Sequence, residues 1–219
     1  MSRALFIGGF GSSREMLEPV GLALEKHFEE VDVRSLREAE EDPDEVRRAA
    51  EGVDVFAHSG GIGPTANTRP SALHGLGVAL PTAVPLLLSR TVAKQARMHG
   101  EDHGAAFRFE RQSAAEILGH PAFHMRELFR VARMDGLNIA GHHTKMGTPA
   151  TLAFFGADAY FTPSEHDRRW AEGWKVDLLS LPGQHDEPLL RPQETIDGYL
   201  AAANGGGRER TELGLPTPG

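Results

Sequence analysis

The stretch Val53-Asp54-Val55-Phe56-Ala57-His58-Ser59-Gly60-Gly61 limits the possible folds more than any other. A β-branched and aromatic run stops at a lone Ser, and the residues two before and two after it, Ala57 and Gly61, are small. This predicts a strand entering a sharp strand-to-helix turn with Ser59 at its apex, because larger neighbours would collide as the chain reverses. Ser59 Oγ is then expected above the C-terminal edge of a sheet.

The rest of the chain fits a sheet of that kind. Ala4 to Ile7 reads as a buried strand running into the loop Gly8-Gly9-Phe10-Gly11. Ser12 with Glu15 suggests a capping box, and Met16, Val20, Leu24 and Phe28 recur at helical spacing. A second strand is expected over Val31 to Ser35, and a short helix begins at Asp42-Pro43 and closes at Gly52. After Ser59, the glycines and Pro64 predict a helix that is short, late or distorted. Gly77 to Leu80 is read as a fourth strand. Helical patterning without strand candidates follows from Leu86 to Met134. Strands then resume at Ala150 to Phe155 and Val176 to Leu181, with helices from Pro163 and from Pro192. Strands alternating with helices over short links predict a parallel α/β sheet with crossover helices on both faces.

Composition narrows the function classes. At 219 residues and 40% hydrophobic content, one core is affordable and two are not, so a single domain is expected. The net charge of −8 is spread without basic blocks, which argues against a nucleic-acid partner. No apolar run reaches the ~20 residues of a membrane span, and the first residues lack a signal-peptide layout, so a cytoplasmic protein is expected. With no Cys, covalent catalysis must use an oxygen or amine nucleophile.

The C-terminal strand edges of a parallel sheet bring distant residues together. Ser59, Asp158 in Gly156-Ala157-Asp158, and His185 in Gly183-Gln184-His185-Asp186 each follow such an edge. A Ser hydroxyl is a weak nucleophile; an imidazole must take its proton and a carboxylate must orient the imidazole, so all three residue types are present. From Ala4 to about Ala203, these motifs and the glycine loop, in the order Ser, Asp, His, resemble the α/β-hydrolase superfamily. The resemblance implies a core of about six mostly parallel strands with helices on both faces and a small helical cap. It implies core residues 1–85 and 135–203, with the strand-free helical run 86–134 as cap; residues 204–219 have too little apolar content to fold and are expected to form a disordered tail. It further implies Ser59 as nucleophile, His185 as base, Asp158 as orienting acid, and the backbone N–H groups of Phe10 and Gly60 as oxyanion hole. Ala57 replaces the usual Gly of the elbow, Gly8 replaces a common His, and two opening antiparallel strands are missing.

Asp135 is the alternative acid. Asp186 reads as a turn residue, His58 as a residue supporting the site from behind or a packed neighbour of Ser59 and not as the base, and Asp54 as a hydrogen-bonding residue at its strand's start. His99, Glu101, Asp102 and His103, and the pair His142-His143, could suggest zinc, but without Cys or a His-x-x-x-His helix no metal or cofactor is expected. Gly8-Gly9-Phe10-Gly11 lacks dinucleotide-loop spacing, and Ser35 stands where an acid is needed. The expected activity is hydrolysis of a carboxylic ester or thioester with a small apolar acyl group. The cap's Leu86, Leu87, Leu88, Met98, Phe107, Phe109, Phe123 and Phe129 would line an apolar pocket. The competing expectation is a non-catalytic module that binds a small molecule or protein, with a partner-binding tail third. A homo-oligomer is left open.

Overall fold

The computed structural model describes residues 2–78, 103–158 and 162–204. The strands are β1 (Arg3–Ile7), β2 (Glu30–Arg34), β3 (Asp54–His58), β4 (Ala72–Leu76), β5 (Ala150–Phe155) and β6 (Asp177–Leu181). They form one sheet in the order β2-β1-β3-β4-β5-β6, and every pair is parallel. Register aligns the strand ends: Ala57 lies beside Ile7, His58 beside Leu76, and Phe155 beside Leu181. All six strands therefore release their chains on one side, where the loops converge.

Alternation along the strands builds two cores. Leu5, Ile7, Val55, Ala57 and Leu152 face one way, against α3 (Pro43–Ala49), α5 (Pro121–Val131), α6 (Gly136–Lys145) and α7 (Glu165–Trp174). Phe6, Phe56, Ala153 and Phe155 face the other, against α1 (Arg14–Leu24) and α9 (Pro192–Asn204), which supplies the fully buried Ile196 and Tyr199. Both faces are covered, so β1, β3 and β5 read as near-continuous apolar runs. Among the described residues no helix is long and apolar enough to cross a membrane.

Several boundaries differ from expectation. β4 lies at Ala72–Leu76, before the Gly77 to Leu80 run expected to form it. His74 and Gly75 hide it in sequence. His74 stacks on Phe56 at 4.4 Å and shares a 2.7 Å hydrogen bond with Tyr199 Oη, while a Cβ on Gly75 would come within 2.5 Å of Leu152 and Val78. Helix α1 starts at Arg14, and Ser12 does not cap it; its hydroxyl donates to Gly9 O at 2.7 Å and closes the glycine loop. Ser35 instead heads α2 (Leu36–Glu41) through a reciprocal capping box with Glu38. Asp54 accepts from Ser71 Oγ at the start of its strand, as expected.

Between β4 and β5, α4 (His103–Gly119) and α5 run over the loops at the C-terminal strand edges. A Cβ on Gly11 would meet Ser113 and Ile117 of α4, and one on Gly60 would meet Val131 of α5. Ion pairs tie both helices to α2: Arg37 with Glu116 at 3.3 Å, and Arg130 with Glu40. The expected helix from Leu86 to Arg97 and the tail beyond Asn204 lie outside the described residues.

Candidate active site

Ser59 follows β3 directly and has φ of +52°. Left-handed backbone costs an L-residue about 1–2 kcal/mol, so the turn must be held by what surrounds it. Steric demands at its neighbours show how. A Cβ on Gly61 would lie 2.4 Å from Ile7 O and 2.6 Å from Gly8 O, main-chain atoms that cannot swing aside. One on Gly9 would lie 2.7 Å from Ser59 Cβ, so the glycine loop and the Ser turn are in direct contact.

The nine residues after the turn, Ser59–Asn67, form a 3₁₀ helix with Pro64 inside it. This is the distortion expected there. Side chains secure the segment: Thr65 Oγ1 donates to Ile62 O at 2.7 Å, Thr68 Oγ1 donates to Thr65 O at 2.7 Å, and His143 Nε2 on α6 donates to Thr65 O at 3.0 Å. Burial holds the His143 ring below the ordinary imidazole pKa, against the raising effect of its hydrogen bond to Thr65.

Strands β3 and β6 stand three places apart, roughly 14 Å at ordinary strand spacing. Residues beyond β5 and β6 must therefore curl back across β4 to reach Ser59. Ala157 N donates to Gly183 O and Gly156 N to Leu181 O, both at 2.9 Å, which zips the two returning loops together. Gly77, at the end of β4, has φ of +56°, and a Cβ there would lie 3.1 Å from His185 Nδ1. Its bare backbone makes room for the imidazole.

In that space His185 Nδ1 donates to Asp158 Oδ2 at 2.9 Å. The Asp158 side chain is fully buried and that of His185 is 8% exposed. The next contact reaches the Ser turn: His58 Nε2 donates to the main-chain oxygen of His185 at 3.0 Å, and the two rings lie 4.9 Å apart. His58, the residue before Ser59, thus links the Ser turn to the loop carrying His185. Asp135 is elsewhere, capping α6 by accepting from Asn138 N at 3.0 Å. Asp186 is buried and opens the short helix α8 (Glu187–Leu190).

Phe10 meets His124 of α5 edge-on at 5.1 Å. His124 is 4% exposed, its Nε2 lies 3.7 Å from Glu116, and burial depresses its pKa against the opposing pull of that carboxylate. Nothing in the sequence around His124 marked it. Of the residues expected to line an apolar pocket, Phe129 points outward at 48% exposure and Phe123 is half-buried. The side chains of Leu86, Leu87, Leu88, Met98, Phe107 and Phe109 lie outside the described residues. His142 is exposed; His143 belongs to the 3₁₀ clasp. A separate cavity of about 510 Å³ runs along the edge strand β2 between the start of β1 and α3, where Arg34 pairs with Asp32 and Glu45, and Arg3 with Glu30.

No protein-family model matches the chain, and no curated protein matches it in sequence. Solved structures match over nearly its whole length. An N-formylmaleamic acid deformylase from Pseudomonas putida S16 superposes with a TM-score of 0.61 at 16% identity, covering 93% of this chain and 91% of that one. A hydrolase from Oleispira antarctica gives 0.59 at 15% identity, covering 93% and 89%. An enol-lactonase from Burkholderia xenovorans LB400 gives 0.56 at 17% identity, covering 91% of each chain. The chain has the α/β-hydrolase fold. The α/β-hydrolase sheet here has six strands, all parallel, and β1 leads straight into the glycine loop.

Proposed function

We propose that the chain is a serine hydrolase that cleaves a carboxylic ester or thioester of a small apolar acyl group through an acyl-enzyme on Ser59. The observation that carries this reading is a Ser at positive φ, tied through His58 to an imidazole whose other side is held by a buried carboxylate. A purely structural Ser has no need of that strain. The names of similarly folded proteins, among them a hydrolase, a deformylase and an enol-lactonase, support hydrolytic chemistry on this scaffold.

Asp158 keeps the His185 proton on Nδ1, which leaves the Nε2 lone pair to accept a proton from Ser59 Oγ. The hydroxyl oxygen then attacks the acyl carbonyl carbon, and the carbonyl electrons move onto oxygen. In this reading the N–H groups of Phe10 and Gly60 hold that oxyanion, each contributing about 3 kcal/mol. Collapse of the intermediate expels the alcohol or thiol, which takes the proton from His185 and leaves the acyl-enzyme. Water, deprotonated by His185, reverses the sequence and releases the acid.

Pre-steady-state hydrolysis of p-nitrophenyl esters with two- to eight-carbon acyl chains tests the proposal. A burst of nitrophenol near one equivalent of enzyme, absent in Ser59→Ala, is the expected result. Hydrolysis that survives Ser59→Ala undiminished would contradict it.

A further inference from the structure

A main-chain N–H can sit beside a nucleophile only where the backbone comes very close, and in this chain that requirement removes the means of holding it still. Gly9 cannot carry a side chain, because a Cβ there would lie 2.7 Å from Ser59 Cβ. Without a Cβ, rotation about the bond that leads into the Gly9–Phe10 peptide is nearly free of steric restraint. Left to itself, that peptide can rock and swing its N–H off target, so its plane must be fixed from outside.

Ser12 supplies the anchor. Its Oγ donates to Gly9 O at 2.7 Å, its main-chain N reaches the same oxygen at 3.4 Å, and the residue is 4% exposed. A trans peptide is planar and its C=O and N–H point in opposite directions, so holding Gly9 O sets the direction of Phe10 N–H. The same bond polarises the peptide and strengthens its N–H as a donor. No hydrogen bond ties Phe10 N–H to another described residue. Nor is the Ser12 hydroxyl occupied by the helix that follows, since α1 starts at Arg14 behind Ser13. A second hold acts on the other side of the unit, where the Phe10 ring meets the buried His124 ring edge-on at 5.1 Å.

We propose that Ser12 is a positioning residue of the oxyanion hole: its hydroxyl anchors the Gly9–Phe10 peptide so that Phe10 N–H stays aimed at the developing oxyanion, with His124 steadying the Phe10 side chain. The inference rests on the reading of Ser59 as nucleophile.

Single-turnover acylation by p-nitrophenyl butyrate, measured beside the binding of a trifluoromethyl ketone of the same chain length, tests it on the full chain. Ser59 Oγ adds to the ketone carbon, its proton passes to His185, and the ketone oxygen becomes an oxyanion; the matching alcohol fills the same space and forms none. Folded Ser12→Ala should acylate about 100-fold more slowly and lose a similar factor in ketone affinity, while its affinity for the alcohol stays at the wild-type value. Ser12→Thr, which keeps the hydroxyl, should restore both. His124→Ala should cost about 10-fold in the same two readouts, and His124→Phe, which keeps a ring against Phe10, should cost neither. Wild-type acylation in folded Ser12→Ala, or equal losses for ketone and alcohol, overturns the role of Ser12. If Ser12→Ala does not fold, the ketone-to-alcohol ratios of Ser12→Thr and His124→Ala decide, and a ratio unchanged in His124→Ala overturns the proposal. A folded wild type that neither acylates nor binds the ketone ends the hydrolase reading itself, and the role of Ser12 with it.

Discussion

At the scale of single residues, the two aspartates that sequence offered as orienting acid have different work. Asp158 accepts from His185, whereas Asp135 caps α6. Asp158→Asn removes the charge that favours the working tautomer and should lower kcat by about 10⁴-fold with the fold intact. Asp135→Asn keeps a good capping side chain and should leave both kcat and stability unchanged. Equal losses from both would contradict the assignment. Gly77 sets a second test, since Gly77→Ala both forces an L-residue to positive φ and crowds His185. Stability should fall by about 1–2 kcal/mol, and a displaced imidazole should cost up to about 100-fold in activity. The positions of Ser59, Asp158 and His185 beyond strand ends were legible in the sequence because each follows a strong apolar run through small or turn-forming residues. Gly77 and His124 were not, because their importance lies in contacts across the sheet and from α5, which no local pattern records.

At the scale of elements, the chain after Ser59 shows how an unpromising sequence is kept in order. Glycines and Pro64 deny it a regular helix, and the clasp from His143 substitutes for some of the lost hydrogen bonding. Burial places the pKa of His143 below its unfolded value, and that of His74 in β4 at about 4 despite the opposing charge of Asp54. Between these folded values and the unfolded value near 6.5, the unfolded chain binds more protons than the native one. Stability must therefore rise with pH across that window, and acidification below about 6.5 should remove up to about 1.4 kcal/mol per pH unit per ring. Guanidinium melts at pH 7.5 and 5.0 check the sign: the midpoint should drop at pH 5.0, and drop less in His143→Gln. A midpoint that holds or rises would mean the rings titrate normally. Strand β4 escaped sequence reading because its His74 and Gly75 are rare in a central strand. Helices α2 and α6 were missed because each begins immediately after a segment already assigned to another element.

At the scale of the molecule, the parallel order β2-β1-β3-β4-β5-β6 explains why Ser59, Asp158 and His185 gather at one end. Alternating short strands and helices were enough to predict a parallel sheet with helices on both faces, because that follows from crossover geometry, but they did not give the strand order. How the loops return across β4 was beyond such reasoning, as was the bond from His58 to the loop carrying His185. The helical segments α4 and α5 are joined to the core through contacts on Gly11 and Gly60 and through ion pairs to α2, which positions them to shape what reaches Ser59. The chain beyond Asn204 is rich in glycine and polar residues, so truncation there should leave the melting temperature and labelling rate unchanged. Loss of a partner on truncation, with activity retained, would instead reveal a tail-borne interaction. The central claim is an activated Ser59, and intact-mass analysis after fluorophosphonate treatment tests it most directly. One adduct is expected on the wild type and none on Ser59→Ala or His185→Ala. A folded wild type that stays unmodified, or an adduct that persists without Ser59, would contradict it and turn attention to a non-catalytic binding role.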